Sequence, residues 1–196
     1  MRWTIGVRRG MLGRHGGTMS LPPVKVLFDE NRIAARNKEL ASEIAGAGFE
    51  NLLVVAVLKG SFVFAADLLR AMHASGMAPE MEFVHLSSYR DAQVSSGQVT
   101  ILRDVESDVR GRDVLLVDDI LESGRTLAFA KDLLMARGAR TVKVCVLLEK
   151  PGKRAVQIDA DYVGFMTPDV FVVGYGMDVA HAFRQLPFIG HIEQLD

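Results

Sequence analysis

Continuous apolar runs of strand length recur along this 196-residue chain, and they constrain its fold more than any other feature. Runs without polar alternation are typical of strands that are buried on both faces of a parallel sheet. The runs lie at residues 52–58, 114–117 and 141–148, and stretches of helical periodicity lie at residues 30–45, 62–72 and 126–137. Because such strands alternate with helices of roughly 10–15 residues, the pattern predicts an α/β domain with a doubly wound, mostly parallel sheet.

Charge and cysteine content bear on the partners and the compartment. Lys and Arg total 23 and Asp and Glu total 24, so the net charge of −1 gives no electrostatic case for nucleic acid or an anionic membrane as a partner. Cys145, the single cysteine, cannot form an internal disulfide. No apolar run approaches the roughly 20 residues that span a bilayer. We therefore predict a reduced, cytoplasmic setting.

Residues 1–20 differ from the rest of the chain. They are rich in Gly and Arg, contain no Asp or Glu and show no core periodicity. They also lack the long apolar centre of a secretory signal. Because unanchored termini are usually poorly ordered, we expect a disordered extension, or a start codon assigned upstream of Met19, with a transit or tail role as the alternative. Residues 21–196 are then expected to form one domain.

The segment VLLVDDILESGRTL, residues 114–127, combines three acids with a turn that can hold an anion. Asp118 and Asp119 follow a predicted strand, at the sheet edge where α/β folds bind ligands. The turn from Ser123 to Thr126 opens a helix, whose first N–H groups attract phosphate. Acids can bind sugar hydroxyls or a metal ion, so the order of groups fits a ribose phosphate. The alternative is that Asp118 and Asp119 merely end a strand and that Glu122 is an ordinary acid at a helix start.

This segment resembles the phosphoribosyl diphosphate motif of the type I phosphoribosyltransferases, and other segments resemble their hypoxanthine-guanine branch. LKGSFVF resembles the pyrophosphate loop of that branch, and SSYRDAQ resembles the start of its mobile catalytic loop. LLEKPGKR and DYVGFMTPDVFVVGYGMD resemble its purine-binding hood. The matches run in order from Val24 to the C-terminus. The resemblance implies a twisted, mostly parallel sheet with flanking helices and a small C-terminal hood formed mainly by residues 150–196.

The resemblance also implies a reaction, in which a purine attacks C1 of the ribose while magnesium-bound pyrophosphate leaves. It implies that Asp118 and Asp119 contact the ribose hydroxyls and magnesium. It also implies that the 5′-phosphate is bound by Ser123, Gly124, Arg125 and Thr126. Glu122 matches the base that accepts the purine N7 proton. The family usually has aspartate there, and glutamate keeps the carboxylate while adding one methylene.

On the pyrophosphate side, the resemblance implies that Lys59 and Gly60 bind pyrophosphate after a cis peptide between Leu58 and Lys59. Arg184 is a further pyrophosphate contact, with a surface ion pair as the alternative. Ser88 and Tyr89 match the residues that begin a lid over the reacting ribose, which would exclude water. A surface loop without function is the alternative for that segment.

On the purine side, Lys150 matches the lysine that contacts the C6 oxygen and so selects 6-oxopurines over adenine. Tyr162 matches an aromatic that stacks on the base, where the family more often has phenylalanine, and a core aromatic is the alternative. Val163 offers backbone groups to the purine edge. Asp169 matches an acid that reaches a second magnesium through water, with a turn residue as the alternative.

The leading hypothesis is a purine-salvage transferase that makes IMP from hypoxanthine, and GMP from guanine, with phosphoribosyl diphosphate as the donor and Mg²⁺ as the cofactor. The alternatives are a sensor of phosphoribosyl ligands on the same fold and a transferase that prefers xanthine or a pyrimidine. The resemblance implies a homodimer or homotetramer.

Overall fold

The computed structural model describes residues 23–88 and 99–192, together with the backbone of two short strands near the N-terminus. The strands and helices of these residues, in chain order, are β1 (Arg14–His15), β2 (Thr18–Met19), β3 (Lys25–Phe28), α1 (Glu30–Ala45), β4 (Leu53–Leu58), α2 (Phe62–Ala74), β5 (Glu80–Ser88), β6 (Val99–Arg103), β7 (Asp113–Leu121), α3 (Arg125–Ala136), β8 (Thr141–Glu149), β9 (Tyr162–Met166), β10 (Val172–Val173) and β11 (Ile189–His191). None of the helices in these residues is both long and apolar enough to cross a bilayer.

Within the described residues, six strands form the main sheet in the order β6-β5-β4-β7-β8-β9. Strands β5, β4, β7, β8 and β9 are parallel, and β6 pairs antiparallel with β5 at one edge. The apolar runs form the centre of this sheet, where residues 53–57 of β4 and 113–117 of β7 are all buried. The predicted fold class, an α/β domain with a mostly parallel sheet, is confirmed.

Helices cover both faces of the sheet, which explains why its central strands are apolar throughout. On one face, Leu40 of α1 and Leu68 of α2 belong to the same buried cluster as Leu115 of β7. On the other face, Leu127 of α3 belongs to a cluster that contains Leu116 of β7. Successive strand residues point to opposite faces. A strand between two helical layers therefore needs an apolar residue at every position.

A small antiparallel sheet of β10, β11 and β3 stands beside the main sheet. Its core contains Val173, Val179, Phe183 and Ile192. The ring of Phe28, at the end of β3, stacks on that of Phe165 of β9, with 4.3 Å between the ring centroids. The predicted hood therefore combines C-terminal segments with a strand from the start of the domain, while β9 lies at the edge of the main sheet.

The two short strands before residue 23 pair antiparallel with each other. Most of the predicted disordered extension, residues 1–20, lies outside the described residues, so that expectation and the domain limits of 21–196 stay predictions. The predicted lid from Tyr89 onwards also falls largely on residues that are not described.

Candidate active site

The segments that carry the predicted site residues meet at the carboxyl ends of the strands of the main sheet, because parallel strands end on the same side. Strand β4 ends at Leu58, directly before Lys59. Strand β7 carries Asp118 and Asp119 near its end, and β8 ends at Glu149, directly before Lys150. The predicted location of the site residues at the carboxyl ends of the strands therefore agrees with the topology.

Asp118 and Asp119 are neighbouring carboxylates in the last part of β7. Asp118 is only 7% exposed, and the backbone N–H of Asp119 donates to its Oδ1 over 2.9 Å. Burial raises the pKa of Asp118 well above its usual value, and repulsion from Asp119 adds to this effect. Burial also raises the pKa of Asp119. A cation or a hydroxyl donor bound here would stabilise the charged form of the pair.

The loop after β4 lies directly against this acid pair. Its first peptide bond, between Leu58 and Lys59, is cis, as the resemblance implies. A Cβ atom added at Gly60 would lie 1.6 Å from Oδ2 of Asp119, so only glycine allows this approach. The hydroxyl of Ser61 donates to the carbonyl of Val57 over 2.6 Å, which fixes the far side of the loop.

Arg184 reaches the same loop from the C-terminal segment. One guanidinium nitrogen donates to the carbonyl of Gly176 over 2.6 Å, and another lies 2.5 Å from Oδ1 of Asp178. A Cβ added at Gly176 would lie 2.3 Å from the carbonyl oxygen of Gly60, so these two turns are in contact. Burial raises the pKa of Asp119, and the positive charge of Arg184 opposes that effect. The structure thus brings Arg184 close to the loop of Lys59 and Gly60, and its predicted contact with pyrophosphate stays a prediction.

The turn from Ser123 to Thr126, called the phosphate turn because it is predicted to bind the 5′-phosphate, leads from β7 into α3. Gly124 has a φ of +79°, a left-handed conformation that favours glycine, and α3 begins at Arg125, one residue earlier than predicted. A Cβ added at Gly124 would lie 2.7 Å from the carbonyl oxygen of Val156. The turn from Ser123 to Thr126 is therefore built on the segment that follows Lys150, and its helix start can bind an anion.

Glu122 faces the side chain of the proposed purine lysine. Nζ of Lys150, which is buried, lies 3.6 Å from Oε1 of Glu122. Nζ of Lys153 lies 3.9 Å from the same oxygen and 2.6 Å from Oδ1 of Asp169. An acid and an ammonium group are thus held side by side at the end of the sheet, close enough to contact neighbouring atoms of one small ring.

The structure does not bring Asp169 together with the acid pair. In the described residues, no group of three or more His, Cys, Asp or Glu side chains is arranged to hold a metal ion. Asp169 is half exposed, and its hydrogen bond with Lys153 lowers its pKa. Its predicted magnesium role stays untested.

Tyr162 and Val163 begin β9 and are partly buried. Tyr162 packs against the cluster on the α1–α2 face, whereas Val163 packs against the cluster on the α3 face. The carbonyl of Val163 accepts a hydrogen bond of 2.8 Å from Arg36. The position of Tyr162 suits the core-aromatic alternative, and its predicted stacking role stays a prediction.

The lid residues fall at the limit of the described chain. Ser88 is the last residue of β5, but its side chain is not described, and Tyr89 lies outside the described residues. Their predicted catalytic roles therefore stay predictions.

Sequence reasoning gave no role to two residues that the structure places in this site. Asp178 pairs with Arg184, and Arg154 binds the backbone of Leu121 and Glu122. One sequence feature could have pointed to Asp178 as a site residue: it closely follows the turn Gly174-Tyr175-Gly176. Arg154 stands within the LLEKPGKR segment, but its contacts involve residues about 30 positions away, which no local pattern reveals.

Comparison with known proteins agrees with this fold. A family model described as the phosphoribosyl transferase domain matches residues 23–180. The chain therefore belongs to the phosphoribosyltransferase family. It is 43% identical over 167 residues to the hypoxanthine-guanine phosphoribosyltransferase of Bacillus subtilis, a match that covers 85% of this chain and 91% of that protein. This similarity and those that follow identify the hypoxanthine-guanine branch of the family.

Further relatives include a longer protein and a solved structure. The bifunctional protein TilS/HprT of Listeria innocua is 48% identical over 168 residues, which are 85% of this chain but only 25% of that protein. The chain thus spans a quarter of the length of this relative. A crystal structure of a hypoxanthine phosphoribosyltransferase from Staphylococcus aureus is 37% identical, with a TM-score of 0.80 over 86% of this chain and 91% of that one.

Proposed function

We propose that the protein transfers the phosphoribosyl group of phosphoribosyl diphosphate to hypoxanthine and guanine, giving IMP and GMP in purine salvage. One observation carries this proposal. The Lys59 loop, the acid pair and the phosphate turn meet at a single sheet edge, next to a buried lysine that lies 3.6 Å from Glu122. These groups match, in order, a pyrophosphate, a ribose, a 5′-phosphate and a 6-oxopurine.

The charges of the site fit the charges that develop during the transfer. As the bond from C1 to pyrophosphate breaks, the ribose ring becomes more positive and the leaving group more negative. Asp118 and Asp119 stabilise the ribose side, while Lys59 and Arg184 stabilise the leaving group. Interactions that strengthen in the transition state raise the rate rather than the affinity for substrate alone.

Glu122 and Lys150 act on the purine. The carboxylate of Glu122 accepts the proton at N7 as the base attacks, and the ammonium group of Lys150 donates to the C6 oxygen. Adenine carries an amino group at C6, which is a donor, so it would leave the buried Lys150 ammonium without an acceptor. Selection of this kind discriminates strongly because the mismatched polar group stays unpaired.

Magnesium fits the donor set at Asp118 and Asp119. The adjacent carboxylates of Asp118, which is buried, and Asp119, which is partly buried, repel each other, and Mg²⁺ is usually held by one or two carboxylates together with substrate phosphates. When bound, the ion would neutralise charge on the diphosphate. Asp169 stays a candidate for a water-mediated contact, but Asp178 is better placed, because its partner Arg184 binds Gly176, whose turn contacts Gly60 beside Asp119.

The test is turnover by the purified protein with Mg²⁺, phosphoribosyl diphosphate and each of hypoxanthine, guanine, xanthine and adenine. We expect IMP and GMP, and no product from adenine. Bound phosphoribosyl diphosphate without turnover of any 6-oxopurine would instead favour a sensor, and rapid turnover of xanthine alone would favour a xanthine transferase. Sedimentation of the same sample tests the homodimer or homotetramer that we propose for a cytoplasmic enzyme of this family.

A further inference from the structure

Arg154 binds the end of β7 and Glu122, the residue just before the phosphate turn. One guanidinium nitrogen donates to the carbonyl of Leu121 over 3.0 Å and to that of Glu122 over 2.7 Å. Another forms a short contact with the carboxylate of Glu149, and Nε donates to the carbonyl of Ile158 over 3.3 Å. The side chain is three-quarters buried. Arg154 therefore links the ends of β7 and β8 to the segment that follows Lys150.

The carbonyl of Leu121 is shared between this arginine and the purine lysine. The backbone N–H of Lys150 donates to the same oxygen over 3.0 Å. The peptide group between Leu121 and Glu122 is thus hydrogen-bonded to the backbone N–H of Lys150, which fixes the backbones of both site residues relative to each other. The 3.6 Å separation of their charged groups depends on that shared oxygen and on the guanidinium beside it.

The phosphate turn has its own support, which does not involve the Arg154 side chain. The backbone N–H groups of Ala155 and Val156 donate to the carbonyl of Ser123 over 2.9 and 3.1 Å. A substitution of the arginine side chain leaves these backbone bonds possible. Loss of Arg154 should therefore displace Glu122 more than the turn from Ser123 to Thr126.

We propose that Arg154 is a positioning residue for the transfer reaction, which sets the reach of Glu122 and its spacing from Lys150. This inference rests on the proposed function. A base works only when it reaches the proton that it accepts, and a displacement of about 1 Å can cost up to roughly 100-fold in rate. Arg154 touches no substrate in this role and acts through the backbone of Leu121 and Glu122.

The main test is the variant Arg154→Lys. Lysine keeps the positive charge, but its single ammonium group cannot reproduce the fork of N–H donors that contacts two carbonyls and a carboxylate together. We expect kcat for hypoxanthine to fall about tenfold or more, while KM for phosphoribosyl diphosphate stays within about twofold of the original value. In Arg154→Ala, added guanidinium, at a concentration too low to unfold the protein, should restore part of the lost kcat.

Arg112 provides a matched control at the other end of the strands, directly before β7 begins. Its guanidinium donates to the carbonyls of Asn51 and Leu52 over 3.2 and 3.4 Å and to Glu80 over 2.7 Å, so it also binds two carbonyls and a glutamate. We expect Arg112→Lys to lower Tm at least as much as Arg154→Lys does. Its kcat, measured well below its Tm, should stay unchanged.

The outcomes separate the two proposals. If the unaltered protein turns over no 6-oxopurine, the proposed function fails and the role of Arg154 fails with it. If the unaltered protein is active and Arg154→Lys keeps its kcat, only the role of Arg154 is overturned. The same holds if both lysine variants lose kcat in proportion to their loss of Tm.

Should the Arg154 variants fail to fold, Glu149→Gln provides the test. Glutamine is neutral, so its hydrogen bond with the Arg154 guanidinium is weaker than that of the carboxylate, and kcat should still fall while KM for phosphoribosyl diphosphate does not rise.

Discussion

Glu122, the proposed base, lies beside Lys150 at the end of β7. Its carboxylate lies near two ammonium groups, those of Lys150 and Lys153, and its backbone carbonyl is held by Arg154. The extra methylene of glutamate, compared with the aspartate that is usual in the family, lengthens the reach of the carboxylate from a fixed backbone. In the proposed mechanism, the activity therefore depends on where the backbone of Glu122 is held as well as on which acid is present.

The variant Glu122→Gln tests the base directly. Glutamine keeps the size of the side chain but cannot accept a proton, so we expect kcat to fall by about 100-fold or more. Affinity for phosphoribosyl diphosphate, measured by calorimetry, should stay nearly unchanged because the phosphate turn is intact. Glu122→Asp is the control, since it keeps the carboxylate and should retain far more activity. An equal loss of affinity and turnover in Glu122→Gln would mean that Glu122 maintains the shape of the turn instead.

At the level of residues, the sequence was informative where chemistry is local and uninformative where it is not. Asp118, Asp119 and the phosphate turn stand together in one motif, so their meeting was predictable. Arg154 contacts the backbone of Leu121 and Glu122, which lie more than 30 positions away and which only the folded chain brings near. Such contacts depend on the register between strands and on the path of the hood, and a single sequence encodes neither in a local pattern.

At the level of elements, the predicted bounds were best where burial changes abruptly. Helix α1 covers residues 30–45 as predicted. Strand β7 was predicted to end at Val117 but continues to Leu121, because Asp118 and Ile120 still pair with Val146 and Leu148 of β8. The apolar pattern stops at the first acid, but the hydrogen-bonded ladder does not. Strand β10 covers only Val172 and Val173, since Gly174 and Gly176 adopt positive φ and turn the chain.

The contact between the loop after β4 and the acids of β7 can be tested with Gly60→Ala. The added methyl group would lie 1.6 Å from Oδ2 of Asp119, so either the loop or the acid must move. We expect kcat/KM for phosphoribosyl diphosphate to fall about tenfold or more, by steady-state kinetics, because both groups contact that substrate in the proposed mechanism.

Gly46→Ala is the matched control for this substitution. Gly46 has a φ of −72°, and a methyl group there would meet only carbonyl oxygens at 3.6 Å, an ordinary contact distance. We expect its activity to match that of the unaltered protein. Full activity in Gly60→Ala would show that the loop and the acid pair are not held together in the working enzyme.

At the level of the whole molecule, the two edges of the main sheet carry different kinds of polar residue. The carboxyl edge holds the acid pair, Glu122 and the lysines proposed to bind substrate. The amino edge holds ion pairs between residues that precede or begin strands, such as Arg112 with Glu80 and Arg140 with both Asp113 and Glu50. In the proposed function, the charges at the carboxyl edge also contact substrate, whereas those at the amino edge only pair with one another.

Because of the ion pair of Asp113, the stability of the fold depends on pH in the acid range. The side chain of Asp113 is 6% exposed, and Arg140, the backbone N–H of Glu50 and Thr141 all donate to it. The hydrogen bond from Arg140, together with these further donors, lowers the pKa of Asp113 far below its usual value. A lowered carboxyl pKa stabilises the fold above the unfolded pKa of about 3.9, and that contribution is lost as pH falls towards the folded pKa.

We therefore expect Asp113→Asn to lower Tm by roughly 5 °C at pH 7, and the difference from the unaltered protein to shrink as pH is lowered below about 4. Thermal melts followed by circular dichroism across this pH range measure both effects. Glu106→Gln, which removes the same charge from an exposed pair with Arg103, should change Tm little at any pH because solvent screens such pairs. A Tm difference for Asp113→Asn that stays constant down to pH 2 would mean that asparagine destabilises the fold through its packing. Ionisation of Asp113 would then contribute nothing to the stability of the fold.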